Sequence, residues 1–139
     1  AHAYFNGKIT IYGGKQLRPN IHIKDMVEAY LAVLNANSSS VGQQVFNVGG
    51  DNHSVEKIAQ IVEENIGRDC TIETQETNDP RSYHIDSAKI KKVLGFQPVY
   101  SIADAVCDLK DAFDRGLFKD PLVNPLYYNI KQMQKINLS

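Results

Sequence analysis

The chain is 139 residues long, enough for one domain with a buried core. With 42% hydrophobic and 22% charged residues it has the composition of a soluble globular protein, and a net charge of −1 excludes the strongly basic surface that nucleic acid or an anionic membrane attracts. No apolar run approaches the ~20 residues of a membrane helix, and the N-terminal AHAYFNGK lacks a signal-peptide core. The two cysteines, Cys70 and Cys107, are distant and outside any CxxC, so free thiols in a reducing, cytoplasmic compartment are expected.

Lys8 to Tyr12 (KITIY) alternates polar and apolar residues and predicts a strand, ended by Gly13-Gly14. Ile21 to Ile23 reads as a second short strand. Asp25 then has the position of an N-cap, with Glu28 three residues on, before a helix whose Val27, Tyr30, Leu31 and Leu34 share one face. Asn35 to Gly42 is a polar loop, and Val45 to Val48 (VFNV) a compact strand closed by Gly49-Gly50. Ser54 caps a helix carrying Val55, Ile58, Ala59, Val62 and Ile66 on one stripe, with Gly67 past its end. Thr71 to Gln75 is a strand. Asp86 or Ser87 opens a short helix ended by Leu94-Gly95, and Pro98 prevents a restart. Ser101 caps a longer helix with Ile102, Ala105, Val106, Leu109 and Phe113 aligned, stopped by Gly116; a last helix is expected over Leu126 to Ile136. The order predicts a mixed α/β region over residues 1–117 and a tail over 118–139.

Several chemistries are missing from the sequence. There is no GxGxxG, no GxxxxGK[ST], no GxSxG, and no histidine at metal-ligand spacing from another histidine or cysteine. What stands out is Arg18, between a glycine turn and Pro19. A guanidinium there is planar, always charged and suited to a bidentate grip on phosphate. The alternative is a surface arginine paired with a nearby acid.

Three stretches carry a resemblance. ITIYGGKQLRPNIHIKDMVEAYLAVL is similar to the IxIYGxGxQxRxFxHVxDVAxA stretch of nucleotide-sugar epimerases and dehydratases, which are extended short-chain dehydrogenase/reductases. QVFNVGGDNHSVEKIAQIV resembles the VYNVGxGxxxSxxELAxxI that follows in that family. RSYHIDSAKIKKVLGFQPVYSIADAV resembles RxYxxDxSKAxxxLGWxPxxxxxEGL. The three blocks match in order and spacing from about Ile9 to Leu109.

The resemblance implies the C-terminal, substrate-binding part of such an enzyme. The Rossmann domain, with its glycine-rich turn, its NAD or NADP and its Tyr-x-x-x-Lys pair, would belong to a missing N-terminal part. Tyr127 and Lys131 have that spacing but lie after every matching block, so the fragment alone is expected to be inactive. The implied ligand is a nucleotide-diphosphate sugar. A homodimer is the assembly to consider for the full-length enzyme, through helices of the absent domain.

Position by position, Arg18 takes the place of the arginine that contacts the pyrophosphate. Ile11 and Tyr12 take that of the strand beside the base, with ordinary strand packing as the alternative. Asn47 takes that of an asparagine near the phosphates, with a turn-satisfying asparagine as the alternative. The family's second phosphate arginine is absent: Glu76 stands near its place, and Arg81 is the nearest candidate, followed by Tyr83. A free-standing, non-catalytic nucleotide- or partner-binding module is the alternative for the chain as a whole.

Overall fold

A computed structural model describes residues 1–79 and 81–136. The strands read from alternation form as expected. β1 (Lys8–Tyr12) runs parallel to β4 (Thr71–Gln75), with Lys8 opposite Thr71 and Tyr12 opposite Gln75. Side chains on β1 alternate faces, so Ile11 is buried while Lys8, Thr10 and Tyr12 point outward. A parallel pair needs a long crossover. This one contains β2 (Leu17–Pro19), α2 (Ile23–Asn35), α3 (Ser38–Val41), β3 (Asn52–Ser54) and α4 (Val55–Asn65). A short helix, α1 (His2–Asn6), precedes β1; α5 (Ala88–Leu94), α6 (Ile102–Asp114) and α7 (Asn129–Lys135) follow β4.

Local end signals set most helix boundaries. The Ser54 hydroxyl accepts from Lys57 N at 3.1 Å, and Gly67 follows α4 at φ +68°. Ser101 and Asp104 form a reciprocal capping box on α6, and Ser87 precedes α5, which Gly95 ends at φ +69°. The tail splits where one helix is predicted, into a 3-10 turn over Pro125–Tyr127 and α7.

Two cores result. Ala3, Tyr4, Ile66 and Val106 are buried together, flanked by Ile9, Val62, Cys70, Ile102 and Phe113. Ala29, Ile90 and Phe96 form the second, flanked by Ile21, Ala32, Phe46, Val48 and Leu94. The first continues into the tail through Phe113, Phe118 and Tyr127, whose successive ring centroids are 5.4 and 5.5 Å apart.

Four expectations need correction. Ile21 to Ile23 is not a strand: the strand lies earlier, at Leu17–Pro19, where Asn52–Ser54 offers an antiparallel partner, and Ile23 begins α2. Asp25 is not the N-cap. His22 is, its Nδ1 accepting from Lys24 N at 3.1 Å. Asp25, 1% exposed, instead accepts from Val99 N and Tyr100 N at 3.1 and 3.0 Å, tying α2 to the segment before α6. Val45–Val48 keeps the alternation of a strand, Phe46 and Val48 inward and Val45 and Asn47 outward, but finds no ladder partner among the described residues. Finally, the apolar face of α2 is reversed. Val27, Tyr30, Leu31 and Leu34 are all exposed, and the buried side is the small one, Asp25 and Ala29.

No helix among the described residues is long and apolar enough to cross a membrane. Both cysteines are free thiols, Cys70 half-buried and Cys107 exposed.

Candidate functional site

The Gly13-Gly14 turn delivers the chain from β1 to β2. Gly13 has φ +78°, and a Cβ there would lie 2.6 Å from the Gln16 side chain, so only glycine fits. The turn is closed internally. Gly13 N donates to Gln75 O at 2.8 Å and Gly14 N to Gln16 Oε1 at 2.6 Å, while Gln16 Nε2 donates to Tyr12 O at 2.7 Å. Glu56 N donates to Gly14 O at 3.0 Å, fastening the turn to the start of α4.

Arg18 is the middle residue of β2, half-buried, and its guanidinium is aimed by two carbonyls. Nη1 donates to Leu17 O at 2.9 Å and to Arg81 O at 2.8 Å. Both Nη1 hydrogens are thereby used, and Nε and Nη2, the fork that fits a phosphate side-on, have no hydrogen-bond partner among the described residues. No carboxylate among the described residues lies within ion-pair distance of Arg18. Its Cζ lies 5.4 Å from the centre of the Tyr83 ring.

Residues 81–83 run beside β2 and hold this arrangement. Leu17 N donates to Ser82 Oγ at 2.9 Å, and Tyr83 N donates to Leu17 O at 3.1 Å. On the other side of β2, His53 stands directly opposite Arg18 in the β2–β3 register.

Arg81 is committed differently. Its Nε and Nη2 each donate at 2.7 Å to the two oxygens of Asp79, and its backbone N donates to Asp79 Oδ1 at 3.1 Å. This pair pulls the Asp79 carboxyl down to about 2, chiefly through the hydrogen bonds from the Arg81 side chain.

The structure thus brings together Arg18, Arg81 and Tyr83. Ile11 and Tyr12 lie at the root of the same turn but on opposite faces of β1: Ile11 is 6% exposed and faces the interior, Tyr12 is 58% exposed. Asn47 stands apart on the irregular limb before β3, exposed, its side chain making no hydrogen bond among the described residues. The Tyr127–Lys131 spacing forms no dyad: Tyr127 packs edge-on against Phe118, and Lys131 sits over Tyr128 with Nζ 4.2 Å from the ring centre. Sequence reasoning missed Asp79 and Ser82. The signal available for Asp79 was its spacing, a carboxylate two residues before an arginine across a proline.

The larger concavities lie elsewhere. One of about 490 Å³ is bounded by Asp51, Asp86 and Lys91, and another of about 360 Å³ by α2 side chains with Phe46 and Val48. The first sets two carboxylates against one lysine and the second is apolar, so neither suits a diphosphate. Among the described residues no group of three or more His, Cys, Asp or Glu could hold a metal ion.

The profile of the NAD dependent epimerase/dehydratase family matches residues 1–49. The CDP-paratose 2-epimerase of Salmonella typhi is 31% identical over 116 residues, which cover 76% of this chain and 33% of that protein. Among solved structures, the L-threonine dehydrogenase of Phytophthora infestans superposes with a TM-score of 0.72 at 16% identity, covering 83% of this chain and 39% of that one. The UDP-glucuronic acid 4-epimerase of Bacillus cereus, solved in complex with UDP-glucuronic acid and NAD, superposes with a TM-score of 0.68 at 24% identity, covering 84% of this chain and 38% of that one. The chain spans about a quarter to a third of the length of the curated relatives it matches. The order of elements, the three sequence blocks and these likenesses agree in relating the chain to part of the NAD dependent epimerase/dehydratase family.

Proposed function

We propose that this chain is the C-terminal, substrate-binding part of an NAD(P)-dependent nucleotide-sugar epimerase or dehydratase, and that it holds the diphosphate of the sugar donor through Arg18. The observation that carries the reading is the aim of that side chain. Two carbonyls consume Nη1 and leave the Nε/Nη2 fork with no hydrogen-bond or ion-pair partner among the described residues; Asp79 lies near enough to feel its charge but is bonded to Arg81. A fork fixed beforehand loses little freedom on meeting a phosphate, which favours binding. The sequence relatives support the ligand class, since they include enzymes named for CDP-paratose, UDP-glucose and UDP-glucuronic acid.

The dinucleotide itself does not fit the residues described here. The paired glycines offer no amide cradle for a pyrophosphate, because the N–H groups of Gly13 and Gly14 are spent on Gln75 and Gln16. No hydride step is assigned to this chain. Its own contribution is orientation: grip on the diphosphate, remote from the reacting sugar, places the hexose for chemistry performed elsewhere.

The test is calorimetric titration of a full-length protein containing this chain with UDP- and CDP-sugars. Arg18→Ala is expected to cost about 1.5–3 kcal/mol, roughly tenfold or more in Kd, with the fold retained by circular dichroism. Arg18→Lys keeps the charge but loses the fork and falls between. Unchanged binding in Arg18→Ala would refute the grip.

The two closed cores favour a second reading, a free-standing module that binds a nucleotide or a partner without catalysis. The exposed apolar face of α2 counts against it. Sedimentation and urea unfolding of the isolated chain separate the two: a monomer with one cooperative transition supports the module.

A further inference from the structure

We propose that Asp79 is the positioning residue of the diphosphate grip, and that Arg81 serves as its strut rather than as a second phosphate ligand. This rests on the reading of Arg18 given above and adds to it a residue that acts through another.

Three hydrogen bonds run from Arg81 into a single carboxylate: from the backbone N to Oδ1, from Nε to Oδ1 and from Nη2 to Oδ2. They tie Arg81 to Asp79 through both backbone and side chain and fix where the Arg81 carbonyl points. That carbonyl takes one of the two Nη1 hydrogens of Arg18. Asp79 is itself placed from behind, its N donating to Thr77 Oγ1 at 3.1 Å. Positional information therefore passes from Thr77 through Asp79 and the Arg81 backbone to the Arg18 fork. The adjacent Ser82 and Tyr83 contacts with Leu17 lock the two limbs in register.

The two arginines differ in what they have left to give. The Nε/Nη2 fork of Arg81 is filled by Asp79, and the pair carries no net charge. The same fork of Arg18 is open among the described residues, with no carboxylate at ion-pair distance; Asp79 feels its charge only from farther off. Of the two arginines, Arg18 is the one whose fork is free among the described residues to meet an arriving diphosphate. The competing possibility is that Asp79 only screens Arg81, and that the diphosphate displaces it. An exposed ion pair is weak enough for that exchange, and the Arg81 and Asp79 side chains are 69% and 35% exposed. The two possibilities predict opposite signs for one substitution, because removing a screening anion tightens an arginine's hold on phosphate, whereas removing a strut loosens it.

The experiment uses the full-length protein, titrated with UDP and with CDP, in the wild type and in R18A, D79N, R81A, R18A/D79N and D79N/R81A. Strut action predicts that D79N and R81A each weaken nucleoside diphosphate binding about threefold to tenfold, the scale on which coupled neighbours act. It also predicts that D79N/R81A is no weaker than either single variant, and that D79N has no further effect once Arg18 is alanine. A D79N that binds as well as or better than the wild type overturns the strut. So does an R81A much weaker than D79N, or a full D79N effect in the R18A background. A wild type that binds neither diphosphate, or an R18A that binds normally, sinks the underlying reading as well. A wild type that depends on Arg18 but not on Asp79 sinks the strut alone. Melting temperatures of all variants, measured without ligand, separate a loss of fold from a loss of aim.

Discussion

Helices α2 and α6 are each thirteen residues long and each amphipathic, yet they meet the protein in opposite ways. α6 lays most of its predicted stripe inward: Val106 is buried and Ile102 and Phe113 pack around it, while Leu109 is left 48% exposed. α2 turns its predicted stripe outward, with Leu34 77% and Tyr30 65% exposed, and is held by Asp25 and Ala29 on the narrow side. Amphipathicity thus marks a face that wants covering, without saying which residues of the described chain will cover it. α6 finds α4 and the aromatic side chains of Tyr4 and Phe5. The wide face of α2 finds nothing among the described residues, and its narrow face takes Ile90 and Phe96 instead.

The comparison breaks first at Ile90, fully buried beneath α2. Ile90→Ala is expected to cost about 2–5 kcal/mol in urea unfolding, the range for a large-to-small change in a closed core. A cost below that range would mean that the narrow side does not hold α2. Asp25→Ala comes next, at about 2–3 kcal/mol, because the amides of Val99 and Tyr100 lose their acceptor. Amide exchange at those two positions should rise with it.

The two helix starts also differ. The Asp104 carboxyl in the capping box of α6 is held below its usual range, first by the Ser101 hydroxyl and then by the Ser101 backbone. A carboxyl whose folded pKa is depressed supplies stability that is present above its unfolded value near 4 and lost as pH falls through the folded value. Acidification below about pH 4 should therefore loosen the start of α6, read by amide exchange there, and Asp104→Asn should remove that dependence. α2 is capped by the Nδ1 of His22, which accepts from Lys24 N, while Nε2 faces Asp108 at 3.4 Å. The smallest effect is expected on the wide face of α2. Leu31→Lys with Leu34→Lys should change stability by no more than about 0.5 kcal/mol, since both side chains already face solvent. The pair should lower binding of an apolar dye to the isolated chain. A large loss of stability would show that this face is packed after all.

Within the candidate site, legibility fell off with distance along the chain. Arg18 could be singled out because its neighbours, a glycine pair and a proline, lie within a few residues of it. Arg81 and Tyr83 came from the resemblance, and the structure sets both beside Arg18. Ile11 and Tyr12 were read together as the strand beside the base, but adjacent strand residues face opposite ways, so their two side chains cannot line the same face of β1. Asp79 was legible only as a carboxylate two residues before an arginine. Its meaning depends on a carbonyl reaching back 63 residues to Arg18.

By itself the sequence determined the parts whose causes are local. The β1 and β4 strands follow from alternation, the start of α4 from the Ser54 hydroxyl, that of α6 from the Ser101–Asp104 exchange, and the stops at Gly67, Gly95 and Gly116 from left-handed backbone that glycine adopts without strain. Only the tertiary structure decided which side of α2 is buried, that Val45–Val48 goes unpaired, that Leu17–Pro19 pairs with Asn52–Ser54, and where the Arg18 fork points. The physical reason is common to all four. A cap or a turn is satisfied by atoms a few residues away, whereas a face, a ladder or an aimed guanidinium is satisfied by whichever distant segment the fold brings alongside.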